Sequence, residues 1–85
     1  MKFSTDLIDE LSLLSQFSLS STLEGLKIHA DASNKVIGAA KRLFDKGLVT
    51  QADGGYLTEL GKDAAQHLLS LNSILTTPVN LDTAS

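Results

Sequence analysis

Cysteine is absent, which excludes disulfides, thiolate-bound zinc and thiol nucleophiles. No apolar run approaches the roughly 18 residues that a membrane span needs. No signal-peptide core follows Met1-Lys2-Phe3-Ser4, so a cytoplasmic protein without membrane contact is expected. There is no excess of positive charge. The formal net charge is −3, which argues against an indiscriminate nucleic-acid binder. Histidine occurs twice, at His29 and His67, with no third ligand near either in sequence, so no metal site is expected. The G-x-S-x-G, P-loop and H-E-x-x-H signatures are all missing, and Gly54-Gly55 alone is too little for a phosphate cradle. Neither a catalytic constellation nor a cofactor is expected.

What is present fits one small domain. The chain has 85 residues, of which 42% are hydrophobic and 20% charged, a globular composition. Residues 1–75 read as the folded unit and 76–85, containing the only proline, as a flexible tail. A first helix is predicted over Thr5–Phe17, with Ser4 as N-cap and Phe3 and Ile8 spaced as a hydrophobic staple. Leu7, Leu11 and Leu14 share one face of it, and Leu13 points away. Ser21-Thr22-Leu23-Glu24 fits a capping box that opens a short second helix to about His29. A third helix is predicted over Ala32–Lys46 with Asp31 as its cap. Val36, Ile37, Ala40, Leu43 and Phe44 form its buried stripe, and Gly47 stands at the left-handed C-cap position.

The period then changes. Leu48–Gln51 and Tyr56–Thr58 read as strands joined by Ala52-Asp53-Gly54-Gly55, a turn rich in residues that accept positive φ. Thr58 caps a last helix on which Leu60, Ala64, Leu68, Leu71 and Leu75 share a face and Leu69 lies opposite. The expected core is Leu7, Leu11, Leu26, Val36, Ala40, Leu43, Phe44, Leu48, Leu57, Leu60, Leu68 and Leu71. The resulting fold class is mainly α with one β-hairpin.

The order of three helices, hairpin and helix is that of a winged helix-turn-helix. Ala39-Ala40-Lys41-Arg42-Leu43-Phe44-Asp45-Lys46-Gly47-Leu48-Val49 resembles the end of a recognition helix entering the first wing strand. Gly55-Tyr56-Leu57-Thr58-Glu59-Leu60-Gly61-Lys62-Asp63 is similar to a stretch of MarR-like bacterial regulators. Over its whole length the chain also resembles a small family of uncharacterised proteins from Gammaproteobacteria, most strongly over Lys46–Thr58. The resemblance implies a DNA-binding type of domain. One departure stands out. Helix-turn-helix units usually place Gly six residues before the buried β-branched residue of the third helix, and here Ala30 precedes Val36. A wider or differently packed turn is expected.

Charge is unevenly spread. Between Lys27 and Lys46, five basic residues stand against Asp31 and Asp45, a local net of +3 in an acidic chain. Lys27, Ser33, Asn34, Lys35, Gly38, Lys41 and Arg42 are therefore the candidate contacts to double-stranded DNA, with Asn and Arg suited to base edges and Lys to phosphate. Lys41 and Arg42 are both expected on the solvated face of the helix. Gly38 costs about 1 kcal/mol inside a helix relative to Ala, so close approach to a partner or to a neighbouring element is expected there. The alternative is a winged-helix module that binds protein, favoured by the acidic total and by a wing tip without cations. In the regulators that the chain resembles, the first and last helices commonly build a dimer. Leu13 and Leu69, each off its helix's stripe, are accordingly the expected homodimer contacts.

Overall fold

The computed structural model describes residues 2–19 and 25–77. Three helices and three short strands follow in the order α1 (Thr5–Leu19), β1 (Leu26–Lys27), α2 (Asn34–Asp45), β2 (Val49–Gln51), β3 (Gly54–Leu57) and α3 (Glu59–Thr76). The protein is mainly helical with a small antiparallel sheet, and α1-α2-β2-β3-α3 is a winged-helix-like arrangement.

The helix starts follow local chemistry. Ser4 Oγ accepts from Leu7 N at 3.1 Å, satisfying one free N–H of the first turn of α1. Phe3 and Ile8, the expected staple, are both exposed. The cap of α2 is Ser33 rather than Asp31, with Val36 N donating to its hydroxyl at 3.3 Å. The helix consequently begins two residues later than the sequence suggests. Gly47 follows its C-cap with φ of 78°, the left-handed conformation expected there. Thr58 caps α3 and also ties it to the preceding turn: Gly61 N donates to Thr58 Oγ1 at 3.0 Å, while that hydroxyl donates to Gly47 O at 2.6 Å.

The segment 25–29 is not helical. Leu26 and Lys27 form β1, paired antiparallel with Gly55 and Gly54 of β3, and Ile28 N donates to Asp53 O at 2.8 Å. The sheet order is thus β1-β3-β2, with a bulge between Val49 and Gln51 in β2. A run of apolar residues too short to show a period packs equally well as strand, and the free edge of β3 decides the matter. The proposed capping box at Ser21–Glu24 lies outside the described residues.

The core gathers Leu13, Phe17, Ala39, Ala40, Leu43 and Val49, with Leu26, Ile28, Val36, Leu48 and Leu57 packed around it. Leu13 is 2% exposed, so its expected outward projection, and with it a place in a dimer contact, is overturned. The reason is that α1 serves two neighbours. Glu10, Leu13 and Phe17 turn toward α2, while Leu7, Leu11 and Leu14 line a groove that α3 closes on its other side. A single-stripe reading of α1 finds only one of these faces.

Helix α3 is displaced in the same sense. Its buried positions are Gly61 and Ala65, roughly a quarter turn from the stripe assigned to the core. Gly61 sets the contact: a Cβ there would collide with the carbonyl oxygen of Leu48, so only glycine permits this approach of α3 to the start of the hairpin. Leu60 and Leu71, expected in the core, are consequently exposed, as is Phe44 on α2.

Candidate nucleic-acid interface

Helix α2 carries the candidate site because its sequence sorts by position. Ala39, Ala40 and Leu43 are buried, whereas Asn34, Lys35, Lys41 and Asp45 are exposed around the opposite side. Lys27 is exposed on β1. It lines a pocket of about 480 Å³ with His29, Ile37 and Asp53, where the exit of β1 meets α2 and the β2–β3 turn. The structure therefore brings Lys27 to the margin of α2 on a strand, not on the helix expected to cross a DNA backbone.

Arg42 departs most from expectation. Its Nε donates to Glu10 Oε2 at 3.0 Å, and its Nη2 lies 3.7 Å from Asp6 Oδ1. Lys46 Nζ donates to the other Glu10 oxygen. The Glu10 side chain is only 5% exposed, and a carboxylate at that depth is stable only when paired and hydrogen-bonded. Burial alone would raise its pKa. The hydrogen bonds from Lys46 and Arg42, with the charge of both cations, outweigh that and hold the carboxyl below its ordinary value. Arg42 is thus a tie between α2 and α1 and does not stand on the solvated face with Lys41.

Gly38 is explained by the same tie. A Cβ at this position would meet Arg42 Nη1 at 3.1 Å, so the missing side chain leaves the space through which the guanidinium lies along the helix. Within the chain, the near neighbour is a side chain one turn on and not a second element. Ser33, another candidate contact, has its hydroxyl engaged as the cap of α2.

What remains exposed is mixed in character. Among the described residues, Lys27, Lys35 and Lys41 take part in no ion pair, and Asn34 opens the helix beside Lys35. Carboxylates interrupt this set. Asp9 lines a shallow groove with Lys35, Asp53 a pocket with Lys27, and Asp45 follows Lys41 one turn along α2. Ile37 and Phe44 also remain exposed on α2. The sequence missed Glu10, which the helical period of α1 placed near its leucine stripe. A carboxylate at a buried period, with basic residues four apart on another helix, was the available signal.

Among the described residues, no group of three or more His, Asp or Glu could hold a metal ion, and no helix is long and apolar enough to cross a membrane. Leu69 of the expected dimer pair is exposed on α3. No curated protein and no solved structure matches the sequence significantly. A family model does match, over residues 1–76, and the chain accordingly belongs to a family of unknown function, DUF5669.

Proposed function

We propose that the protein is a small duplex-DNA-binding module acting in the cytoplasm, in transcription or nucleoid organisation, with α2 as the element that approaches the groove. The observation that carries this reading is the trio Lys27, Lys35 and Lys41, exposed and without ion pairs among the described residues, on and beside a helix that begins with Asn34. The resemblance to MarR-like regulators and their bacterial relatives points the same way. Arg42 and Lys46 are engaged by Glu10, so each copy offers about three phosphate contacts and a salt slope near −3. Interleaved Asp9, Asp45 and Asp53 lower the attraction further. A single copy therefore binds weakly, and two copies on one duplex are needed for a specific site.

Fluorescence titration of a labelled duplex at about 50 mM salt tests the reading. The unmodified chain binds, and Lys35→Glu with Lys41→Glu weakens binding at least tenfold with an unchanged far-UV spectrum. No binding by the unmodified chain, or equal binding by the double variant, ends it. Arg42 is left intact, because a carboxylate at that position would face Glu10 and disturb the fold.

Exposed Ile37 and Phe44, one helical repeat apart with Lys41 between them, favour a second reading. In it, the same face of α2 docks on a protein partner. Two exposed apolar side chains on one helix face suit an interface core better than they suit a phosphate backbone. Phe44→Ser separates the two: it leaves the duplex titration unchanged under the first reading and abolishes partner capture under the second.

A further inference from the structure

The outer face of the small sheet carries an aromatic ring and polar groups that the packing of the domain leaves unused. Side chains alternate across a strand, so Lys27 and the preceding Gly25 share one face, while Leu26 packs against the core on the other. Leu26 pairs with Gly55 and Lys27 with Gly54, which sets Tyr56 of β3 beside Gly25. Gln51 of β2 also pairs with Gly54. The cross-strand neighbours that would ordinarily cover a ring or a charge on this face are thus glycines. Gly25 is where the ring rests: a Cβ there would stand 3.2 Å from Tyr56 Cζ and 3.3 Å from its Cε1. Even so seated, Tyr56 is 51% exposed. Tyr56, Lys27, Gln51 and Asp53 together line one open pocket of about 290 Å³, with Gly25 and Gly55 in its wall. Among the described residues, the Tyr56 hydroxyl, the Lys27 ammonium, the Gln51 amide and the Asp53 carboxylate make no hydrogen bond and no ion pair. The backbone of Asp53 is nevertheless held, since its carbonyl accepts from Ile28 N at 2.8 Å.

We propose that this pocket binds a nucleobase bearing an exocyclic amine, together with its phosphate. The half-exposed ring of Tyr56 is a stacking surface, which every base can use. The Asp53 carboxylate only accepts hydrogen bonds, so it selects a base that presents donors. Guanine offers a ring N–H and an amine side by side, whereas uracil would set carbonyl oxygens against the carboxylate. The Gln51 amide both donates and accepts, and so serves the rest of the base edge. Lys27 supplies a point charge for phosphate. An apolar partner laid on this face would desolvate Lys27 and Asp53 without pairing either, while a nucleotide supplies a partner for each. The volume stands at the small end of ligand sites, about 300 Å³, which suits one base with its phosphate and not a dinucleotide. The same base and phosphate occur in a free mononucleotide and in an unpaired residue of a single strand.

Tyr56 is the only tyrosine of a chain without tryptophan, so proton NMR reads its ring directly. Titration of the full chain with guanosine monophosphate at millimolar concentration is expected to move the Tyr56 ring signals upfield, as stacking on a base does. With binding followed at the backbone amides of Lys27 and Asp53, Tyr56→Leu is expected to weaken it at least about fivefold and Tyr56→Phe to retain it. Uridine monophosphate is expected to bind at least about fivefold more weakly than guanosine monophosphate. Lys27→Gln is expected to weaken guanosine monophosphate but not guanosine. A short single strand containing guanine distinguishes the sources: tighter binding than the mononucleotide assigns the pocket to a strand, weaker binding to a free nucleotide. Lys35→Glu with Lys41→Glu is expected to leave all of this unchanged, because α2 contributes nothing to the pocket, so failure here and failure of duplex binding are read separately. Unmoved Tyr56 signals with both the mononucleotide and the strand overturn the proposal, as does equal binding of uridine monophosphate or binding that survives Tyr56→Leu. If Tyr56→Leu unfolds the chain, Asp53→Asn takes its place, and a preference for guanosine over uridine monophosphate that survives that change rejects the site.

Discussion

Helices α2 and α3 are both amphipathic by sequence, yet they are used differently. On α2 the centre of the apolar side, Ala39, Ala40 and Leu43, is buried against α1 and the sheet while Ile37 and Phe44 at its edge stay exposed, and part of its charged side is tied down by Glu10. On α3 the buried face is narrow, built from Gly61 and Ala65, and most of the leucines stand outside it. The difference is one of fit. In α2 a leucine and two alanines fill one space, whereas α3 is brought so close by Gly61 that bulky neighbours cannot follow it into the core. An apolar stripe identifies a helix that wants a partner, but the closest backbone contact decides which residues that partner covers.

The largest expected effect lies in the α2 half of this contrast. Leu43 is 2% exposed and is the largest fully buried side chain among the described residues. Leu43→Ala is expected to cost about 2–5 kcal/mol in urea unfolding, through lost burial and the cavity left behind. Leu71→Ala, an equal truncation on α3, is expected to cost far less in the single copy. Equal costs would break the comparison.

Gly61→Ala sharpens it from the other side. Replacing an interior helix glycine by alanine ordinarily stabilises by up to about 1 kcal/mol. Here the new methyl group meets the Leu48 carbonyl, and a loss of about 1–3 kcal/mol is expected in thermal or urea unfolding. A stabilised variant would show that α3 is not held at this distance.

The Glu10 tie is next in size. Glu10→Gln removes a charge that holds two cations, and about 1–3 kcal/mol is the expected loss, because Arg42 and Lys46 can turn toward water. The same group gives a pH dependence. Its carboxyl is held below the ordinary carboxylate value, so the folded state binds this proton less readily than the unfolded chain does. The stabilisation is fully present above the unfolded pKa. It falls as pH drops from about 4.5 and is gone below the folded value. Urea midpoints measured from pH 6 down to pH 3 check the sign, and Glu10→Gln is expected to flatten that part of the profile.

The smallest effect belongs to the flank of α3. Leu69 is exposed, one turn beyond buried Ala65 and opposite the apolar stripe, so Leu69→Ala is expected within about ±0.5 kcal/mol of the unmodified protein. A larger loss would place a contact on that flank.

Much of the fold was legible because its signals are local. Ser4 and Thr58 as caps and Gly47 with positive φ each depend on a few neighbouring residues, and each occurs as expected; the hairpin also forms, but Ala52-Asp53 make its turn and Gly54 and Gly55, both with positive φ, belong to β3. The candidate site was only partly legible. Lys41 stands in solvent as its helical position implies, while Arg42 one residue on does not, because its long side chain reaches a carboxylate 32 residues earlier in the chain.

Sequence by itself determined the helical segments, the hairpin and the concentration of basic residues between Lys27 and Lys46, since propensity, capping and charge are properties of neighbouring residues. Tertiary structure alone decided that Leu26 and Lys27 form a strand, that Leu13 faces inward, that Gly61 pulls α3 onto the hairpin and that Glu10 claims Arg42 and Lys46. Each of these depends on what lies across a gap between elements, and period and spacing along one element carry no information about its neighbour.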